Sequence, residues 1–259
     1  MSGYDLAAVN KALRGTMFEG RTQHFPVIDS TNAEAQRAAA AGAAAGSVFV
    51  ADEQTAGRGR GGHSWHSASG DGLYVSVLLR PQMAMTSALK ISLAVGLAAQ
   101  EAMAAACGVE ADIRWPNDLM LGGKKCGGIL VETAAESERL RHVVIGVGIN
   151  VNHAGFDEEL SATATSLRME TGAEMDREAL LIALLRALER EMKELSAGGD
   201  VLRRFTAKST WARGKRVTVE DAGGYTGTTN GLDESGFLRV SMRDGTERLV
   251  LSGGVREVK

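Results

Sequence analysis

The sequence predicts an α+β protein in which a larger domain of helices and strands is followed by a small β-barrel. Apolar residues recur at helical spacing over 89–106 and 177–195, between short segments rich in β-branched residues. The C-terminal part instead alternates short apolar runs with glycine-rich turns, the spacing of a small barrel. We place the boundary near Gly214, which gives domains 1–213 and 214–259.

The elements of the larger domain follow from periodicity and turn signals. Ser30 or Thr31 is a suitable N-cap for a helix that continues through an alanine-rich stretch, because a side-chain oxygen there can accept an orphan amide. Helices are predicted over 5–17, from about 31 to 45, over 89–106 and over 177–195. Strands are predicted over 24–28, 47–51, 73–79, 111–115, 119–121, 128–133 and 140–151.

The C-terminal strands are short and separated by turns. Strands are predicted over 217–219, 226–229, 237–240 and 248–251, with turns at 223–224, 233–236 and 244–245. No internal repeat is visible in the chain.

Composition is that of a soluble globular enzyme: 44% of the 259 residues are hydrophobic and 24% are charged. The formal net charge of -3 provides no global attraction to nucleic acid. Residues 1–17 lack the apolar stretch of a secretory signal, and no run approaches the ~18 apolar residues of a membrane span. We therefore expect a cytoplasmic protein with no nucleic acid or membrane partner.

The cysteines do not form a disulfide framework, because only Cys107 and Cys126 are present. Cys126 stands beside a lysine, but a small buried hydrophobic residue is its expected role. The sequence leaves a redox function of Cys126 open.

A glycine-rich segment at 53–72 cannot belong to a packed helix or strand, so it predicts a long functional loop. Its letters fit a dinucleotide-binding fingerprint, but the residues that follow do not open an apolar-periodic helix. An RNA-binding arginine-glycine segment is disfavoured by the acidic balance of the chain. Arg58 and Arg60 instead favour an anion-binding loop that is mobile when empty and ordered by its ligand.

Two further segments could carry chemistry. Asn117-Asp118 follows a proline and reads as a turn, while Lys124-Lys125 fits either a solvated hairpin tip or a phosphate contact at a strand entrance. Gly146 and Gly148 alternate along a predicted strand, which indicates room for a flat ligand or for a close backbone, or else a β-bulge.

Together these segments resemble one known family. Residues 57–65 resemble the biotin protein ligase signature G-R-G-R-x-G-[HR]-x-W, and 114–119 resemble its K-W-P-N-D segment. Residues 125–130 are similar to its K-x-x-G-I-L segment, 146–152 to its G-x-G-I-N-x-N segment and 29–32 to its D-S-T-N. The order and spacing agree, which makes the combination specific although no single segment is.

The resemblance covers about 22–259, with some departures. Arg114 stands where lysine is common, Gly61 makes the loop less basic than in some members, and Gly254 stands where the family often has glutamate. If that glutamate contributes to binding ATP or to docking the acceptor, this chain must achieve the same by other means. The chain starts close to the catalytic domain, so we expect the short form without the N-terminal helix-turn-helix of members that double as repressors.

The resemblance implies a class II synthetase-like, biotin/lipoate-ligase fold: a mixed β-sheet packed with helices, followed by an SH3-like barrel. It implies activation of biotin by ATP and Mg²⁺ to biotinyl-5′-AMP, then transfer to a lysine of a biotin carboxyl carrier protein domain. Biotin is the substrate, and no tightly bound prosthetic group is expected. The metal ligands, the identity of the acceptor carboxylase and the oligomeric state, including a homodimer, stay open.

Site residues follow from matched motif positions. The implied catalytic residues are Lys125, Arg60 and Asp118. The implied biotin-binding residues are Ser30, Thr31, Asn32, Gln54, Gly57, Arg58, Arg60, Lys125, Gly128, Gly146 and Gly148. The implied nucleotide-binding residues are Arg58, Arg60, Trp65, Asn117, Lys125 and Asn150, with Trp65 covering the closed site.

Two alternatives are weaker. A lipoate protein ligase has related chemistry but lacks this form of the arginine-glycine loop, and a biotin-responsive DNA-binding regulator is disfavoured by the net charge and the expected lack of a winged helix. Pyrophosphate release with biotin or with lipoate would separate these possibilities.

Overall fold

A central mixed sheet organises the larger part of the molecule. The computed structural model describes residues 3–220, 224–251 and 254–258. Within them, one sheet has the strand order β1-β2-β3-β7-β6-β5-β4, and β1 pairs with β2 in parallel while the other neighbours are antiparallel. Its strands are β1 Thr22–Ile28, β2 Ser47–Gln54, β3 Gly72–Leu79, β4 Asp112–Arg114, β5 Asp118–Leu121, β6 Lys124–Glu136 and β7 Arg139–Asn150. The predicted mixed sheet is confirmed.

Helices cover both faces of this sheet. The helices are α1 Leu6–Ala12, α2 Thr31–Ala40, α3 Ala88–Cys107, α4 Glu158–Ser161, α5 Leu167–Thr171, α6 Arg177–Ser196 and α7 Val201–Lys208. Val48 and Val50 of β2 join the core beneath α3 and α6, whereas Phe49 between them packs with Ala35 of α2. This alternation is the period of two expected for a strand buried on both faces.

Helix α3 corrects one expectation from the sequence. With the turn that precedes it, Met85–Cys107 is long and apolar enough to cross a membrane by length and composition. The expectation that no segment approaches a membrane span is therefore wrong for this helix. Most of the helix is buried, since α3 packs against α6 and the sheet, and a helix that is apolar on most of its faces is a core helix.

A second sheet follows at the C-terminal end. In the described part of this region the strand order is β11-β10-β9-β8-β12, with every pair antiparallel. The strands are β8 Arg213–Val219, β9 Tyr225–Leu232, β10 Leu238–Ser241, β11 Glu247–Val250 and β12 Val255–Glu257. The predicted C-terminal β-domain is present, and its closure into an SH3-like barrel stays a prediction.

The two sheets share apolar contacts. Val217 and Val240 of the second sheet belong to the same buried cluster as the main core, and Trp115 Nε1 donates to the carbonyl of Gly236 at 2.9 Å. The predicted turn at 223–224 and the departure at 252–254 fall partly outside the described residues, because Gly223, Ser252 and Gly253 are not among them.

Candidate active site

A cleft lies between the sheet and the loop that connects β2 to β3. The space between its walls, including the part that is open to solvent, is about 460 Å³. Glycines, hydroxyl and amide side chains, and cationic side chains from widely separated segments meet there. The cleft is lined by Ser30, Thr31, Asn32, Gln54, Arg58, Gly59, Arg60, Trp65, Tyr74, Val75, Asn117, Lys125, Gly128, Ile129, Leu130, Gly146, Val147 and Gly148.

Two glycines of β7, Gly146 and Gly148, form the floor of the cleft. The pairing of β7 with β3 and β6 continues through Gly146 and Gly148 without a shift, so the alternative of a β-bulge is wrong. A Cβ on Gly148 would lie 2.6 Å from Trp65 Nε1, and one on Gly146 would collide with the amide of Asn32. Glycine is therefore needed at both positions so that side chains can approach the strand closely.

The first turn of α2 gives the cleft a polar end. Ser30 caps α2 as predicted, with its Oγ accepting from the Ala33 amide at 3.5 Å. Next to it, Gln54 Oε1 accepts from the Thr31 amide at 2.8 Å, and Gln54 Nε2 donates to Ser67 Oγ at 2.8 Å. These bonds fix the amide orientation of Gln54, since its oxygen faces α2 and its nitrogen faces the loop.

The buried hydroxyl of Ser76 extends this polar end across the sheet. Ser76 Oγ on β3 donates to Asn32 Oδ1 at 2.5 Å, and Asn32 Nδ2 donates to Glu132 Oε2 at 2.7 Å. Asn32 is therefore also held in one orientation. The polar end is a preorganised set of donors and acceptors suited to a ligand with both carbonyl and N–H groups.

The two arginines of the loop have different partners. Arg58 NH2 lies 3.1 Å from Glu132 Oε2, whereas Arg60 NH1 donates to Asn117 Oδ1 at 2.9 Å. A short helical turn begins at Arg60. In it, Gly61 has φ 63° and Gly62 has φ 81°, values in the left-handed backbone region that favours glycine. The loop therefore contacts both ends of the cleft.

Trp65 covers the middle of the cleft. A Cβ on Gly128 would lie 3.1 Å from its ring, and Lys125 Nζ lies 5.4 Å from its ring centroid. The indole therefore sits over the glycines of β6 and β7 with a cation at its face. The expected roles of Trp65, covering the closed site and contacting the nucleotide, stay predictions.

Lys125 forms a row of three charged side chains with Asp118 and Arg114. Its Nζ lies 2.6 Å from Asp118 Oδ1, and Arg114 NH2 lies 2.6 Å from Asp118 Oδ2. Burial would raise the pKa of Asp118, but the charges and hydrogen bonds of Lys125 and Arg114 together lower it below its usual range. Asp118 is therefore ionised at neutral pH and orients Lys125.

The solvated hairpin tip proposed for the lysine pair is wrong. Lys124 and Lys125 lie within β6, after the turn at Gly122-Gly123, and Lys124 Nζ donates to the carbonyl of Ser161 at 2.8 Å. Lys125 faces the cleft instead. The strand-entrance interpretation has the right location, and the contact with phosphate stays a prediction.

Some predicted residues do not line the cleft. Gly57 lies in the loop, where a Cβ would come within 2.5 Å of the Trp65 carbonyl oxygen, so its lack of a side chain serves loop packing. Asn150 is buried and its Nδ2 donates to the carbonyl of Thr165 at 3.0 Å. Asp118 acts on the cleft through Lys125. Their predicted ligand contacts stay predictions.

Sequence reasoning missed Tyr74, Ser76 and Glu132. Tyr74 lines the cleft and its hydroxyl donates to the carbonyl of Ala68 at 3.1 Å, bracing the loop. A signal for Glu132 was available, because it continues the alternation of Gly128 and Leu130 along one face of β6. Nothing in the local sequence distinguishes Tyr74 and Ser76 from ordinary residues of a buried strand.

The cleft suits an anion, because Arg58, Arg60 and Lys125 line it. Among residues 3–220, 224–251 and 254–258, no three histidine, cysteine or acidic side chains are grouped so that they could hold a metal. Both oxygens of Asp118 already face cations. The arrangement is suited to an elongated molecule with a polar group at one end and an anionic group at the other.

Comparisons with known proteins agree with this geometry. The family model described as "Biotin/lipoate A/B protein ligase family" matches residues 24–150, from β1 through β7. The "Bifunctional ligase/repressor BirA" of Bacillus spizizenii is 34% identical over 227 residues, which cover 86% of this chain and 70% of that protein. The "Biotin--[acetyl-CoA-carboxylase] ligase" of Paracoccus denitrificans is 35% identical over 222 residues, which cover 81% of this chain and 90% of that protein.

A solved structure gives the same result. Biotin protein ligase from Aquifex aeolicus, in complex with biotin and ATP, superposes with a TM-score of 0.80 and 29% identity, covering 92% of this chain and 100% of that one. The fold and cleft define a ligase of the class that activates a carboxylate for transfer to protein. The chain belongs to the biotin/lipoate A/B protein ligase family.

Proposed function

We propose that the protein is a biotin protein ligase, which uses ATP to activate biotin and then transfers it to a lysine of an acceptor protein. The observation that carries this proposal is the polarity of the cleft. Its α2 end offers the oriented side chains of Thr31 and Gln54, and Lys125 supplies a cation beside the glycine floor. Biotin has a matching ureido group at one end and a carboxylate at the other.

In the first step a biotin carboxylate oxygen attacks the α-phosphorus of MgATP, and the bond to the β-phosphate breaks to release pyrophosphate. The metal ion enters with ATP as part of the substrate. Ser30, Thr31 and Gln54 bind the ureido group. Lys125 lies between the carboxylate and the α-phosphate, where it stabilises the charge that develops. The other predicted biotin and nucleotide contacts are retained in this proposal, except that Arg58 contacts Glu132 and not the ligand.

In the second step an acceptor lysine amine attacks the carbonyl carbon of biotinyl-5′-AMP, and the carbon–oxygen bond to phosphate breaks to release AMP. The relative from Paracoccus denitrificans is named for an acetyl-CoA carboxylase. We infer that the acceptor here is a biotin carboxyl carrier protein domain. Asp118 is a poor proton acceptor in this step because Lys125 and Arg114 hold its pKa low.

The proposal places the reaction in residues 1–213 and assigns 214–259 to a C-terminal barrel domain. Cys107 and Cys126 are both free, as a reducing cytoplasm requires. Cys126 is fully buried, which supports a packing role for it.

The deciding experiment measures pyrophosphate release with ATP, Mg²⁺ and either biotin or lipoate, followed by labelling of a biotin carboxyl carrier domain. We expect pyrophosphate release and labelling of the carrier domain with biotin but not with lipoate. Release with lipoate alone would favour the lipoate ligase alternative. Absence of release, together with binding to a specific DNA site, would favour the regulator.

A further inference from the structure

A carboxylate that has no assigned role lies at the edge of the cleft. Glu132 is on β6 and its Oε2 receives hydrogen bonds from Asn32 Nδ2 at 2.7 Å and from Arg58 NH2 at 3.1 Å. One oxygen atom thus joins the first turn of α2 to the arginine-glycine loop. Gln54 also joins these two segments, but through Ser67, on the C-terminal side of the loop.

Arg58 is directed away from the place where Arg60 is held. Asn117, the partner of Arg60, exchanges hydrogen bonds with the backbone of Ile129 at 2.9 Å in both directions. Glu132 lies three residues farther along the same strand, roughly 10 Å at about 3.3 Å per residue. The guanidinium of Arg58 therefore contacts a protein carboxylate near the polar end of the cleft, well separated from Asn117.

Other contacts hold the loop at different points. Ser67 is bonded to Gln54 near the C-terminal side of the loop, and Arg60 is bonded to Asn117 at its tip. Between Gly57 and Arg60, the ion pair of Arg58 with Glu132 is the side-chain contact that closes the N-terminal side over the polar end. The exposed fraction of the side chain is 47% for Arg58 and 28% for Glu132, so solvent screens this ion pair in part and its contribution is modest.

We propose that Glu132 is a positioning residue that latches the loop through Arg58 and so retains the activated intermediate. This inference rests on the proposed biotin ligase function. A retained intermediate must be covered until the acceptor arrives, and a protein carboxylate can hold the loop without competing for the anionic group of the ligand. Loss of the latch raises the rate at which the loop opens, while Lys125 and its partners remain in place.

The test uses Glu132→Gln, which keeps the shape of the side chain and removes its charge. Glu136→Gln, at the exposed end of the same strand, is the matched control. We expect preformed biotinyl-5′-AMP to leave the Glu132→Gln protein about two- to fivefold faster than wild type, the range for losing an exposed ion pair. The glutamine oxygen can still accept from Asn32 Nδ2, so single-turnover pyrophosphate formation should fall by a smaller factor than the release rate rises. Equal release rates in the wild-type and Glu132→Gln proteins would overturn the proposal.

A double-mutant cycle separates a latch from a general packing effect. Arg58→Gln and Glu132→Gln should each release the intermediate faster, and the double variant should release it no faster than either single variant. If the two effects multiply in the double variant, Arg58 and Glu132 act independently and the latch does not exist. Absence of pyrophosphate formation in the wild-type protein would instead reject the proposed function, so the two failures are distinguishable.

Discussion

At the scale of single residues, the charges around Lys125 decide what this lysine can do. Lys125 and Arg114 each approach one oxygen of Asp118, and together they hold its pKa low against the effect of burial. Arg114 in turn lies 5.5 Å from the ring of Trp211. The sequence identified Lys125 and Asp118 by resemblance, but only the tertiary structure places Arg114 in the same row.

Replacing Lys125 tests whether this cation acts on the reacting atoms. We expect Lys125→Ala to slow pyrophosphate formation ~100-fold or more, as when one donor to a developing negative charge is lost. Lys124→Ala is the matched control, because its Nζ bonds the carbonyl of Ser161. Rapid-quench measurement of the first turnover reports the step directly. A normal rate in Lys125→Ala would exclude a role for this cation in activation.

His153 predicts how stability depends on pH. It is 2% exposed, and burial, with a smaller contribution from His66, lowers its pKa. The folded protein therefore resists protonation, while the unfolded chain takes up a proton near pH ~6.5. The free energy of unfolding must fall as pH drops below about 6.5, and the fall ends at the folded-state pKa.

The His153→Gln variant should lose less stability than wild type between about pH 7 and about pH 5. His63→Gln, at an exposed position in the loop, is the control variant. Chemical denaturation at a series of pH values measures the difference. Parallel curves for wild type and His153→Gln would show that burial of this ring does not oppose its protonation.

At the scale of elements, predictability followed the length and regularity of the pattern. Helices α3 and α6 were predicted within a few residues because their apolar spacing is sustained. Strand β6 was predicted to begin only at residue 128, because a lysine pair and two glycines resemble a turn, yet pairing with β5 and β7 extends it to Lys124. Tertiary pairing here overrides local propensity.

Short elements were predicted poorly. The helix expected over 5–17 ends at Ala12, and the alanine-rich helix expected to reach residue 45 ends at Ala40. Helix α7 and strand β12 were not predicted at all, since eight and three residues give too little periodicity. Such elements form because they pack on a core that the local sequence does not reveal.

The loop between β2 and β3 is anchored at its base. Arg177 NH2 lies 3.0 Å from Asp52 Oδ1 and its NH1 donates to the carbonyl of Gly72 at 3.1 Å, so one side chain joins both ends of the loop. The tip depends on fewer contacts, made by Arg58 and Arg60. We expect motion to be concentrated at the tip.

Limited trypsin digestion tests this distribution of motion. Cleavage after Arg58 and Arg60 should be fast in the ligand-free protein and at least about tenfold slower with biotin and ATP, because ordering the loop removes the open state that the protease needs. ATP without biotin serves as the control. Equal cleavage rates with and without saturating biotin and ATP would exclude closure of the loop over the ligand.

The glycines of strand β7 should be required for biotin affinity. Gly148→Ala places a methyl group in the cleft beneath Trp65, and we expect biotin affinity to fall about tenfold or more. Gly155→Ala is the control, since a Cβ there meets no atom within 4 Å. Calorimetric titration with biotin measures the change. Unchanged affinity in Gly148→Ala would show that the ligand does not approach this strand.

At the scale of the whole molecule, the two sheets behave as one core. Buried residues of β8 and β10 belong to the same cluster as α3 and the main sheet, and Trp115 bonds across the junction to Gly236. The sequence predicted a change of architecture near Gly214 from strand spacing. It could not predict the contacts across the junction, because these join residues far apart in the chain.

This shared core predicts a single cooperative unfolding transition that ligands shift as a whole. A ligand that binds only the folded state at about 100 times its Kd adds about 2.7 kcal/mol, and at roughly 2–4 °C per kcal/mol for a chain of this size the midpoint rises by about 5–10 °C. Biotin should raise the transition, and biotin with ATP should raise it further, because the adenylate contacts both the floor and the loop. Differential scanning calorimetry would contradict the shared core if it resolved two transitions of which biotin shifted only one, since the C-terminal sheet would then unfold independently of the domain that holds the cleft.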